Sequence, residues 1–162
     1  MAVKTMEDLF LETLKDIYYA EKQILKSLPQ MVKKAGSSEL KKALETHRME
    51  TQGQIDHLER VFEEFDATPR GKKCLAIEGI LAEAKEHMDD IDDPEVLDAG
   101  MIGSAQAVEH YEITRYGTLV AWAKRLGNDK AIDLLEANLE EEKNADQLLS
   151  EIAETSVNQA AT

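Results

Sequence analysis

Glu109 and Glu112 stand three residues apart in the segment AVEHYEITRYGTL, and Glu142 and Asp146 stand four apart in LEEEKNADQLL. Separations of three and four put both members of a pair on one face of a helix, a turn apart. That face is otherwise apolar in each case. Glu21 likewise interrupts the run Phe10, Leu14, Ile17, Ile24, Leu28, Met31, and Glu50 with Gln54 interrupts Leu40, Ala43, His47, Leu58, Val61, Phe65. A carboxylate taken out of water carries a heavy desolvation penalty unless it is protonated, paired or bound to a cation. No Lys or Arg falls on these stripes, so the expected partner is a metal ion. Carboxylate-rich sites select iron, manganese, magnesium or calcium over copper or zinc. The candidate ligands are Glu21, Glu50, Gln54, Glu109, Glu112, Glu142 and Asp146. A phase error of one residue would put any single acid at a helix edge, where most glutamates sit. To disperse the set, the same error would have to recur in all four helices.

Only eight glycines and three prolines punctuate the chain, and Leu, Ala, Glu, Lys and Gln recur at helical spacing, which predicts an all-α protein. The first helix is expected to start after Thr5, with Asp8 completing a capping box, and to run to about Ala35 with a kink or break at Pro29. Gly36 ends it and Ser37 can cap the second helix, which reaches about Asp66. A loop with Pro69 and Gly71 precedes a shorter helix from Cys74 to about Asp90. Asp93, Pro94 and Glu95 form a helix start, because aspartate caps, proline suits the first position and an acid favours the positive end. The third long helix is expected over about Glu95 to Leu126, Gly127 and Asn128 break it, and the fourth covers about Asp129 to Glu154.

Two helical hairpins joined by a long connection make a four-helix bundle of ferritin-like arrangement, whose crossover carries a short extra helix. One domain is expected over residues 1–155, with a frayed tail over 156–162. The halves echo each other: Glu21 and Glu112 each lie fifteen residues before a hairpin glycine, while Glu50 and Glu142 lie fourteen and fifteen after those glycines. That echo predicts pseudo-twofold geometry around a shared centre.

A formal net charge of −14 argues against binding nucleic acid, which needs clustered Lys and Arg. No apolar run approaches the length of a membrane span, and "MAVKTMEDLF" has no secretory or transit pattern, so a cytoplasmic location is expected. The single cysteine, Cys74, reads as a structural or partly exposed thiol rather than a nucleophile.

Ferritin-like di-metal proteins place one Glu on each of two helices and Glu-x-x-His on the other two. Counting three from Glu50 gives Gly53, and three from Glu142 gives Ala145, neither of which ligates; Gln54 and Asp146 are one residue further on and can swing in. His47, nearly a turn before Glu50, reads as a hydrogen-bonded partner of ligands rather than a ligand. Tyr18, Tyr111 and Tyr116 read as packing groups above and below the site whose hydroxyls find partners, and a tyrosine near a redox metal can also relay electrons or protons.

The segments "YYAEKQ", "HRMETQGQIDHLE", "AVEHYEITRYGTLVAWAKRLG" and "EEEKNADQLL" resemble the YciF-like stress-response family, a branch of the ferritin-like superfamily, over nearly the whole chain. The third-helix Glu-x-x-Glu followed by an aromatic is also similar to rubrerythrin. The resemblance implies a centre of two iron or manganese ions held by Glu21, Glu50, Glu109, Glu112 and Glu142. It also implies a homodimer and a stress-associated role, with oxidation of Fe(II) or decomposition of peroxide as the chemistry if the protein turns over substrate. A bundle that only senses or is stabilised by metal is the alternative.

Overall fold

A computed structural model describes residues 2–162. Helix α1 spans Met6–Lys34, α2 Ser38–Glu64, α3 Leu75–Asp90, α4 Pro94–Leu126 and α5 Asp129–Ile152, with no strand among the described residues. Helix α1 packs against α2 and α4, and α5 packs against α2 and α4, so the four long helices close a ring around one core; α3 lies outside on α1 and α4. The predicted bundle with its long crossover and extra helix is the observed architecture.

The helix ends follow from their capping chemistry. The Thr5 hydroxyl accepts from the Asp8 N–H while the Asp8 carboxylate accepts from the Thr5 N–H. Ser37 Oγ accepts from Leu40 N–H, Asp93 from Glu95 and Val96 N–H, and Asn128 from Ala131 N–H. Gly127 takes φ 72°, the left-handed conformation that ends α4. Helix α1 runs through Pro29 without a break. The segment expected to fray continues instead as a π-helical turn, Ala153–Val157, and a short helix, Asn158–Ala160. Burial of Val157 supplies the apolar anchor that the polar tail composition hides, and Ala153 just before the tail is buried with it.

Two contacts fix the direction of the crossover. Asp98, near the start of α4, accepts the N–H groups of Gly36 and Ser37 at 2.8 and 2.7 Å, which ties α4 to the α1–α2 turn. At the other end of the bundle Asn128 Nδ2 donates to the Glu64 carbonyl at 3.4 Å, joining the α4–α5 turn to the end of α2. Helices α2 and α4 therefore start at the same end, and the residues between them must travel back the length of the bundle. The returning chain is held to α1 by the Lys72 N–H donating to the Lys15 carbonyl and by Lys72 beside Glu12 at 3.0 Å.

Asp98 is buried and serves two otherwise unmet N–H groups, so Asp98→Ala is expected to lower the unfolding free energy by about 2 kcal/mol. Urea denaturation would show this as a lower midpoint at unchanged slope, with Asp98→Asn falling in between.

Candidate metal centre

The buried face of each long helix brings an ionisable side chain to one level of the core: Glu21 from α1, His47 from α2, Glu109 and Glu112 from α4, Glu142 from α5. One donor atom from each of His47, Glu109, Glu112 and Glu142 lies within 4.8 Å of the others. Two atoms on opposite sides of an ion at about 2.1 Å are about 4.2 Å apart, so the spread is that of a single coordination sphere before it contracts. Glu21 adjoins this set through Glu112 and accepts a hydrogen bond from the buried Tyr116 hydroxyl.

His47 Nε2 lies 3.2 Å from Glu109 Oε1, and Nδ1 lies 3.8 Å from Glu50 Oε2, neither with the alignment of a hydrogen bond. Nine buried nitrogen and oxygen atoms of Glu21, His47, Gln54, Glu109, Glu112 and Glu142 have no hydrogen-bond partner. Folded proteins leave few such atoms and scatter them. Here they converge. The Glu21 and Glu112 carboxyls face one another, as do those of Glu109 and Glu142, and such pairs can hydrogen-bond only when one member carries a proton.

The sequence-derived residues divide into three groups. Glu21, Glu109, Glu112 and Glu142 come together in the buried centre. Gln54 is fully buried on the same face of α2 as His47, with Nε2 donating to Glu141 Oε2 at 3.0 Å. Glu50 and Asp146 sit at its edge. The seam of α2 passes through His47, Thr51, Gln54 and Leu58, about 70° around the helix from Glu50, which leaves the Glu50 side chain 34% exposed. Asp146 is turned outward by Gln106 Nε2 at 3.2 Å and His110 Nε2 at 3.0 Å. The residue that sequence reasoning undervalued is His47; its signal was its place seven residues before Gln54 on one seam.

A cavity of about 100 Å³ opens beside the cluster, between His47, Glu50 and Glu109 on one side and Ala145 and Leu148 on the other. A second, apolar void of about 20 Å³ lies on the α1 side of His47, against Leu28 and Val108. Cys74 is buried away from the centre, its Sγ 2.9 Å from the Tyr111 hydroxyl, as a structural thiol should be.

The profile of a family described as "Domain of unknown function (DUF892)" matches residues 5–162. The chain belongs to the DUF892 family. Protein YciF of Escherichia coli (strain K12) is 42% identical to this DUF892 chain over 162 residues, which cover 99% of this chain and 98% of YciF. The crystal structure of the E. coli stress protein YciF matches with a TM-score of 0.92 at 41% identity, over 97% of this chain and 99% of that one. YcfI from Rhodopseudomonas palustris matches with a TM-score of 0.90 at 50% identity, over 91% of this chain and 94% of that one. No helix among the described residues is long and apolar enough to cross a membrane.

Electrostatics in the centre follow from crowding. Burial, then the Glu142 charge, raises Glu21 from 4.5 to about 8. Glu109 is pushed well up by burial and by the adjoining Glu142, and Glu112 by burial and the charges of Glu142 and Glu21. For His47 burial favours the neutral ring, but the Glu50, Glu142 and Glu21 carboxylates together outweigh it and its pKa rises. Without a cation, then, the cluster stays compact by holding protons.

Those raised values set the pH dependence of the metal-free protein. Between 4.5 and about 8 the folded chain binds more protons at Glu21 than the unfolded chain does, and Glu109 and Glu112 act in the same sense. The unfolding free energy must fall as pH rises through that window, being fully supported below it. Urea midpoints of metal-free protein should therefore drop from about pH 5.5 to about pH 8. The drop should shrink in Glu112→Gln, and a flat profile in the parent would mean that the acids are not held as neutral groups.

Proposed function

We propose that this protein binds a pair of iron or manganese ions in its bundle core, held by Glu21, His47, Gln54, Glu109, Glu112 and Glu142, with Glu50 reaching in from the edge. The observation that carries this reading is the convergence of nine unpartnered buried donor atoms, mostly carboxylate oxygens, on one level of the bundle. A donor set of many oxygens and one imidazole suits hard or borderline divalent ions. The chain resembles ferritin-like di-metal proteins in putting ionisable side chains from all four long helices at that level, glutamates from α1, α4 and α5 and His47 from α2.

The chain's own residues do four things there. Glu109 and Glu112, one turn apart on α4, present two carboxylates to the same centre, opposite Glu142 from α5. Tyr116 keeps its proton, because burial and then the neighbouring Glu21 and Glu112 raise it well above 10, so it orients Glu21 as a donor. Leucine, isoleucine and valine around the acids exclude bulk water. The cavity beside Glu50, Glu109 and Ala145 admits a small molecule to the centre, which favours a reactive role over a purely structural one. Bound iron or manganese would supply the one-electron redox chemistry needed to oxidise Fe(II) or decompose peroxide. The likeness to a stress protein supports a role for such an activity in stress defence.

Metal analysis of protein purified from iron- and manganese-replete cells tests the reading, with stoichiometric metal expected; its absence, together with no rise in Tm on adding Mn(II), would sink it. The double variant Glu112→Gln and Glu142→Gln is expected to lose the metal and to gain about 1 kcal/mol of metal-free stability, since the acids it removes destabilise the core.

A further inference from the structure

His47 and Gln54 are seven residues apart on the buried seam of α2, so their Cα atoms are separated by about 10.5 Å along the helix. The Cα–Cβ bonds of a helix all tilt the same way, so the separation carries over to the side-chain roots. Donors to one ion must come within about 4.2 Å of each other. Two ions about 3.5–4 Å apart would instead let each of these side chains reach a different one.

The Gln54 side chain has one settled orientation. Its Nε2 donates to Glu141 Oε2 at 3.0 Å. An ionised carboxylate accepts and cannot donate, so the amide nitrogen must face Glu141 and the carbonyl oxygen must face away. That oxygen is buried and has no partner. The backbone is pinned as well: Asn138 Nδ2 donates to the Gln54 carbonyl at 3.3 Å, and Asn138 Oδ1 lies 2.7 Å from His57 Nδ1. Because that Asn138 oxygen accepts, His57 must carry its proton on Nδ1. Helix α5 thus grips Gln54 at both backbone and side chain, and Glu141, next to Glu142, serves no other residue among its hydrogen bonds.

Resting on the metal reading above, we propose that the centre has two unlike ends, an imidazole end at His47 and an amide end at Gln54, and that Glu141 is a positioning residue that holds the Gln54 carbonyl oxygen toward the second ion. The His47 end offers a nitrogen donor. The Gln54 end offers oxygen alone, one of its donors a neutral amide, and so binds its ion more weakly.

Titration of the full-length, metal-free protein with Mn(II), followed by calorimetry and by the electron paramagnetic resonance of the bound ions, tests this. The parent should take two ions of unequal affinity and show the signal of a coupled pair. Gln54→Leu should take one, with an isolated-ion signal. Glu141→Ala should weaken the second ion by about tenfold or more and leave the first unchanged, because removing an outer hydrogen-bond partner of a ligand typically costs that much. Glu141→Gln, whose carbonyl still accepts from Gln54, should recover most of that loss. Where Gln54→Leu does not fold, Gln54→Asn, which withdraws the oxygen by one methylene, should weaken the second ion alone. Two ions in Gln54→Leu, or unchanged affinities in Glu141→Ala, would overturn the proposal. A parent that binds one ion overturns the two ends and cuts the metal reading back from a pair to a single ion; a parent that binds none removes both.

Discussion

Everything else in this bundle is arranged around the demand of four carboxyl groups and an imidazole that share a dry space. Glu21, Glu112 and Glu142 have no measurable exposure, and Glu109 almost none. Like charges at that separation cannot all ionise, so the cluster exists either as a set of shared protons or as the shell of a cation. In both cases the four helices must keep their register, since a slip of one residue on any of them rotates its acid out of the core and leaves the others without a partner.

Register is secured at the ends of the bundle rather than at its middle. The Asp98 carboxylate clamps the α1–α2 turn to α4, and the Asn128 side chain clamps the α4–α5 turn to α2, one at each end. Between those clamps the helices are tied by apolar packing that tolerates polar intruders: Phe10 stacks near Phe65 at 4.7 Å, and Tyr18 meets Phe62 edge-on at 5.5 Å. Fixed ends and a forgiving interior let the centre carry groups that would unfold a looser bundle, and the stability lost there is retained as affinity for whatever neutralises them.

The fold was legible because its punctuation is chemical: the capping box at Thr5, the Asp93 and Pro94 start, and the left-handed Gly127 all sit at the ends they predict. Glu21, Glu109, Glu112 and Glu142 were legible because each lies among large apolar residues at unambiguous spacing. Glu50 and Asp146 lie at the edge of the buried stripe for the opposite reason. Small or polar neighbours such as Ala43, Thr51, Asn138 and Ala145 carry little phase information, so the apolar stripe of α2 could be drawn about 70° off; Thr51 is fully buried where Glu50 was expected to be. The tail escaped for a related cause, since one buried residue, Val157, is too few to register as a pattern.

His47 gives physical sense to the two positions where a Glu-x-x-His pattern fails. The pattern puts an imidazole three residues after a glutamate; here it stands three residues before Glu50, entering the centre from the opposite direction along α2. Lack of room does not explain Gly53, because an added Cβ there would meet nothing within 4 Å. A glycine in a helix interior costs about 1 kcal/mol against alanine, and no contact in the structure offsets it. Ala145 is different. It lies on the α5 seam between Glu142 and Leu149 and forms the wall of the cavity that reaches His47, Glu50 and Glu109. An imidazole at that position would project into the same space, so the small side chain trades a ligand for an opening. On the other side of the cavity, the imidazole of His47 from α2 keeps a nitrogen donor at the centre without closing it.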